Sequence, residues 1–117
     1  MATQMLVDLY GCDRALLDDE NTVRETAHRA VAALGADIVE ECMHKLQPIG
    51  ISYIAVITTS HFSVHTWPEY GYAAVDIFSC AEDVPAQLAD ALAEAFTADH
   101  KTVRSVERHI PEGGDST

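Results

Sequence analysis

Between Ile51 and Ser79 the chain strings together three strand-length segments: 51–59 (ISYIAVITT), 61–67 (HFSVHTW) and 72–79 (YAAVDIFS). Apolar and polar side chains alternate along them, which is the period of a strand with one buried face. Pro68 and Gly71 part the last two in the manner of a hairpin or tight corner. A sheet is therefore what the rest of the chain has to satisfy. Segment 4–10 (QMLVDLY) reads as a first strand closed by the turn-prone Gly11-Cys12-Asp13. Segment 37–46 (DIVEECMHKL) runs into a Pro48/Gly50 turn, and a weak strand is expected near 101–110.

Two helices are expected beside these strands. In the first, Thr22 and Glu25 have capping-box spacing, Val23, Ala27, Ala30, Val31 and Leu34 form a stripe at helical period, and Gly35 supplies the stop. In the second, Asp83 acts as cap and Pro85 lies in the first turn, with Leu88, Ala91, Leu92, Ala95 and Phe96 along one face. The order β-α-β-β-β-β-α-β predicts an α+β fold, a mostly antiparallel sheet with both helices on one face. Val56, Val64 and Val75 alternate with Ser, Thr and His along the strands, so a second sheet from another protomer is a natural cover for the remaining face.

The 117 residues fit one domain, expected over 1–110, with a loose tail at 111–117 (the last six being EGGDST). Seven Lys plus Arg against nineteen Asp plus Glu give a formal charge of -12, which repels phosphate backbones and argues against nucleic-acid binding. Surplus carboxylates ordinarily decorate a solvated face; a cationic small-molecule substrate is compatible with them. Cys12, Cys42 and Cys80 form no even disulfide framework and read as reduced thiols, so the expected location is cytoplasmic. No apolar run approaches the roughly 20 residues of a membrane span, and no membrane association is expected.

Chemistry-bearing residues gather in TTSHFSVHTWPEYGYAAVDIFSC, residues 58–80. His61 and His65 share a strand face but stand roughly 13 Å apart by strand rise, too far to chelate one ion, so no metal is expected. Ser60, Ser52, His65 and Cys80 are the groups that could act together, although each has a plain packing explanation. A Ser-His hydrolase is conceivable, but no orienting acid or oxyanion loop accompanies the pair.

The block HTWPEYGYAAVD at 65–76, with Ser60 before it and Cys80 after it, resembles the prokaryotic S-adenosylmethionine decarboxylase family. Leu9-Tyr10-Gly11-Cys12-Asp13 and the turn from His44-Lys45 through Pro48 and Gly50 to Ile51-Ser52 extend the resemblance over nearly the whole chain. The resemblance implies a proenzyme that cuts itself between Thr59 and Ser60, giving a β chain of 1–59 and an α chain of 60–117. Ser60 would become a pyruvoyl group that forms a Schiff base with the substrate amine, with no external cofactor and no metal. His65 and Ser52 would assist processing, and Cys80 would return a proton to the substrate. Leu46, Trp67 and Glu69 would bind it. The implied fold is an αββα sandwich in which two protomers, or two cleaved αβ protomers, pair and build active sites near their interface. The implied role is polyamine (spermidine) synthesis.

Three positions depart from that family's pattern. Thr59 stands where a glutamate is usual, Leu46 where an aromatic ring stacks on adenine, and Tyr53 where a glycine is usual. Tyr53 is expected to fill the space of the missing ring or to narrow the pocket. The alternatives are the same chemistry on L-arginine or L-ornithine, or an uncleaved non-catalytic relative.

Overall fold

The computed structural model describes residues 2–80 and 84–111. Six strands, β1 (Ala2–Tyr10), β2 (Ile38–Lys45), β3 (Ile51–Ile57), β4 (Ser60–Trp67), β5 (Tyr72–Ser79) and β6 (His100–Arg108), form one sheet in the order β2-β3-β4-β5-β1-β6. Every neighbouring pair is antiparallel. The helices are α1 (Arg14–Leu17), α2 (Glu20–Ala33) and α3 (Gln87–Ala95), and a single 3-10 turn spans Pro68–Tyr70.

Alternation along the central strands puts one residue set under the helices. Ile51, Tyr53, Ala55 and Ile57 of β3, Phe62, Val64 and Thr66 of β4, and Ala73, Val75 and Ile77 of β5 are all buried. They meet Val23, Ala27, Ala30 and Val31 of α2 and Leu88, Ala89 and Leu92 of α3 in one core. Each large side chain fully withdrawn from water here contributes roughly 1.5–3 kcal/mol. Val64 and Val75 thus belong to the helix side; of the three valines expected on the opposite face only Val56 is exposed, at 52%. In α3, Ala89 is buried and Ala91 exposed, so the inner stripe is rotated from the expected one.

Helix α2 starts earlier than the capping-box spacing suggests. Asp19 is its cap, accepting from the Thr22 backbone N–H at 3.2 Å and from its hydroxyl at 2.6 Å. A carboxylate accepts such bonds more strongly than a hydroxyl does, so Thr22 becomes the donor in the first turn. Asp13 caps the short α1 in the same way, through Ala15 N at 2.8 Å and Leu16 N at 3.1 Å. The expected cap Asp83 lies outside the described residues, as does the tail beyond Pro111; α3 begins after Ala86, which gives no side-chain cap.

A polar cluster fastens the helices to the turn between β2 and β3. Asp18 accepts from Gly50 N at 2.8 Å and pairs with Lys45 at 2.8 Å. Buried Thr66 donates to Leu17 O at 2.8 Å and accepts from Ile51 N at 3.0 Å. The Lys45 ammonium and the Gly50 N–H hold the Asp18 carboxyl below its ordinary range. A depressed carboxylate stabilises the fold above its unfolded pKa, and that contribution is lost as pH falls through the folded value. Asp18→Ala should therefore lower the unfolding free energy by about 1–2 kcal/mol near neutrality. Urea titrations of variant and wild type should converge as the pH is taken down from the unfolded carboxyl pKa through the lower folded one.

Candidate functional site

Strands β3 and β4 are joined by only Thr58 and Thr59, and Ile57 pairs with Ser60 across the link. Thr58 is held from outside the hairpin: its N–H donates to Asp37 O at 2.9 Å, and its hydroxyl accepts from Asp37 N at 3.0 Å. Across this two-residue link Ser60 is held at φ 144°, a backbone conformation that L-residues rarely adopt. Such strain costs about 1–3 kcal/mol and persists only where the surroundings impose it.

The peptide unit before Ser60 is also polarised. Thr59 O accepts the Cys80 backbone N–H at 2.8 Å, which brings the end of β5 against the hairpin tip. Ser60 pairs with Ser79, so Cys80 with its exposed thiol stands beside the Thr59–Ser60 bond. A backbone donor on a carbonyl is the arrangement that stabilises negative charge when that carbonyl is attacked. Neither the Cys80 N–H nor the buried Thr59 hydroxyl stands out in the sequence, because strand pairing alone gives them their places.

Ser52 and His65 form a second cluster. They are directly opposed in the β3–β4 register, and Ser52 Oγ lies 2.9 Å from His65 Nδ1. Both side chains are half-buried on the face away from the helices. Five residues of strand separate His65 from Ser60, roughly 16 Å at the ordinary rise. One chain therefore unites Thr59, Ser60 and Cys80, and separately Ser52 and His65, but does not bring all of them together. Trp67, at the far end of β4, packs on Tyr72 with centroids 5.3 Å apart. Glu69 is exposed in the 3-10 turn, and Leu46 is 40% exposed beyond the end of β2. These three expected substrate contacts lie at the sheet end remote from Ser60.

Tyr53 corrects the sequence expectation. Its register puts the ring on the helix side, where it is fully buried and donates to Glu41 Oε1 at 2.5 Å. Glu41 also contacts His28 Nε2 at 2.9 Å. The Tyr53 and His28 hydrogen bonds draw the Glu41 carboxyl below its ordinary range, while burial and then Glu41 itself push the phenol of Tyr53 up. The ring neither replaces an aromatic at Leu46 nor narrows a pocket on the open face. A cleft of about 380 Å³ between α2 and α3, floored by Ala30, Leu88 and Leu92, lies on the helix side and includes none of the expected site residues.

His61 faces Asp76 at 3.7 Å rather than joining His65. Among the described residues no group of three His, Cys, Asp or Glu side chains could hold a metal ion.

Residues 3–109 match the family model described as S-adenosylmethionine decarboxylase. The chain belongs to that family. A protein of Acetivibrio thermocellus named S-adenosylmethionine decarboxylase proenzyme is 40% identical over 113 residues, covering 96% of this chain and 91% of that protein. One from Moorella thermoacetica with the same name is 41% identical over 113 residues, 96% of this chain and 90% of its own length. The crystal structure of the adenosylmethionine decarboxylase from Aquifex aeolicus superposes with a TM-score of 0.85 at 29% identity, covering 100% of this chain and 98% of that one. The α+β architecture with an antiparallel sheet is thus the family fold.

Within this family frame, Tyr53→Phe should cost about 1–2 kcal/mol of stability through the lost bond to Glu41. Its KM for substrate should stay at the wild-type value, because the hydroxyl lies on the helix side. Urea unfolding and steady-state assays on the same preparations check both.

Proposed function

We propose that the chain is a self-processing decarboxylase of S-adenosylmethionine whose reactive group is a pyruvoyl made from Ser60. The observation that carries this reading is the backbone strain at Ser60, whose preceding carbonyl, Thr59 O, is held by the Cys80 N–H. The residues fit the group: the bond to be cut is at an accessible hairpin tip, and an exposed thiol stands next to it.

The Ser60 hydroxyl attacks the Thr59 carbonyl carbon, and the C–N bond breaks to leave an ester and a free Ser60 amine. Loss of the Ser60 α-proton expels Thr59 as a carboxylate and makes a dehydroalanine, whose imine form takes up water and releases ammonia. The products are a chain of 1–59 and a chain of 60–117 that begins with a ketone. Once formed, that ketone supplies an electrophilic carbonyl for the substrate amine and a sink for the electrons left behind by carbon dioxide. The Cys80 thiol returns a proton to the substrate α-carbon. The surrounding field, from a formal charge of -12, draws a substrate that carries a sulfonium and an ammonium.

His65 and Ser52 serve the Ser60 of a second copy, which lies across the open sheet face and gives the αββα sandwich of a homodimer. Two observations support this: the roughly 16 Å between the clusters within one chain, and the exposed Ile54 and Val56 on that face, at 49% and 52%. The same arrangement brings Glu69, Trp67 and Leu46 of one copy toward the reactive end of the other. Activity in the cytoplasm, at the polyamine branch of metabolism, completes the reading.

Denaturing mass spectrometry of the purified protein should show two fragments of about half length, and Ser60→Ala should stay whole; an intact wild-type chain that releases no CO2 would sink the proposal. S-adenosylmethionine should release CO2 where L-arginine and L-ornithine do not, and turnover of the free amino acids alone would reassign the substrate. Cys80→Ala should still cleave, yet lose roughly 10²–10⁴-fold in decarboxylation rate. Co-refolding Ser60→Ala with His65→Ala chains should restore cleavage of the His65→Ala chain, whereas processing within one chain would leave both whole.

A further inference from the structure

The Thr59 hydroxyl is out of place as a structural group. Its Oγ1 is buried and has no hydrogen-bond partner among the described residues. A buried hydroxyl left unpaired is unfavourable, and valine would fill the same volume with the same branching and no such cost. The polar groups beside it are paired: Thr58 through both its backbone and its side chain, and Thr59 O with the Cys80 N–H. The orphan sits on the residue whose carbonyl is attacked, so the reaction itself is the place to look for its partner.

The Ser60 nitrogen becomes such a partner. In the intact peptide its lone pair is delocalised into the Thr59 carbonyl, so the nitrogen accepts no hydrogen bond. As Ser60 Oγ adds to that carbonyl the carbon turns tetrahedral, the delocalisation ends, and the nitrogen becomes a basic amine that must gain a proton before the C–N bond breaks. The Thr59 hydroxyl is attached to the residue on the other side of that bond and reaches the nitrogen by rotation about its own Cα–Cβ bond. A donor that is unpaired in the ground state and paired only as the adduct forms stabilises the transition state selectively.

We propose that the Thr59 hydroxyl is a catalytic group of self-cleavage, donating a hydrogen bond to the Ser60 nitrogen as the Thr59–Ser60 bond breaks. This rests on the self-processing reading above.

The test follows cleavage of freshly refolded proenzyme by denaturing mass spectrometry, comparing wild type with Thr59→Val and Thr59→Ser. Thr59→Val should cleave about 10–100-fold more slowly, the scale on which a single transition-state donor acts, while its thermal unfolding midpoint before cleavage equals or exceeds that of the other proenzymes. Thr59→Ser, which keeps the donor, should stay within about threefold of wild type on the same scale. Thr59→Val cleaving at the wild-type rate would overturn the proposal, as would equal slowing of both variants, which would point to packing at position 59 rather than to the hydroxyl. A wild-type chain that does not cleave removes the self-processing reading itself, so the two failures are told apart.

Discussion

The register of β3 against β4 is the constraint on which the rest of this molecule depends. Pairing Ser52 with His65 and Ile57 with Ser60 leaves only Thr58 and Thr59 to turn the chain. That one alignment puts a serine and a histidine in hydrogen-bonding contact, points Phe62, Val64 and Tyr53 into the core, and forces Ser60 into its strained conformation. A slip of one residue would exchange the two faces and undo all three together. The register is defended accordingly, by Thr58 on Asp37 at the tip and by Thr66 on Leu17 and Ile51 near the base.

Chemistry and stability are divided between the two sides of the sheet. The helix side carries the apolar core and, at its margin, the Tyr53–Glu41–His28 chain, which links α2 to β2 and β3. The polar side chains of His61, His65, Ser52 and Asp76 stand on the other side among exposed Ile54 and Val56. Cys12 shows the contrast among thiols: burial, reinforced by the Asp99 carboxylate, pushes it up to about 11, where it behaves as a small apolar side chain. Cys80 is exposed beside the reactive bond.

Much of the fold was legible because strand period and helix period are local signals. The segments 51–59, 61–67 and 72–79 appear almost unchanged as β3, β4 and β5, and the stripe of Val23, Ala27, Ala30 and Val31 does become the inner face of α2. The cap of α2 is Asp19 rather than Thr22, because the capping-box spacing of Thr22 and Glu25 does not show which oxygen accepts the first-turn N–H; the observed bonds do. Helix α1, four residues long, is too short to show a period. Tyr53 differs for another reason: the side of the sheet that it occupies follows from the register and not from local sequence.

By itself the sequence determined the strand and helix pattern, the acidic surface and the family to which the chain belongs, since these reside in composition, period and motif. It also named Ser60, His65, Ser52 and Cys80 as the residues to consider. Only the tertiary structure decided how they group. Pairing across strands brings Cys80 to Thr59 and Ser52 to His65, while the stiffness of an extended strand keeps the two clusters apart along β4. Strain at Ser60 and the unpaired hydroxyl of Thr59 belong to the tertiary level as well, because both arise where two fixed registers meet a two-residue turn.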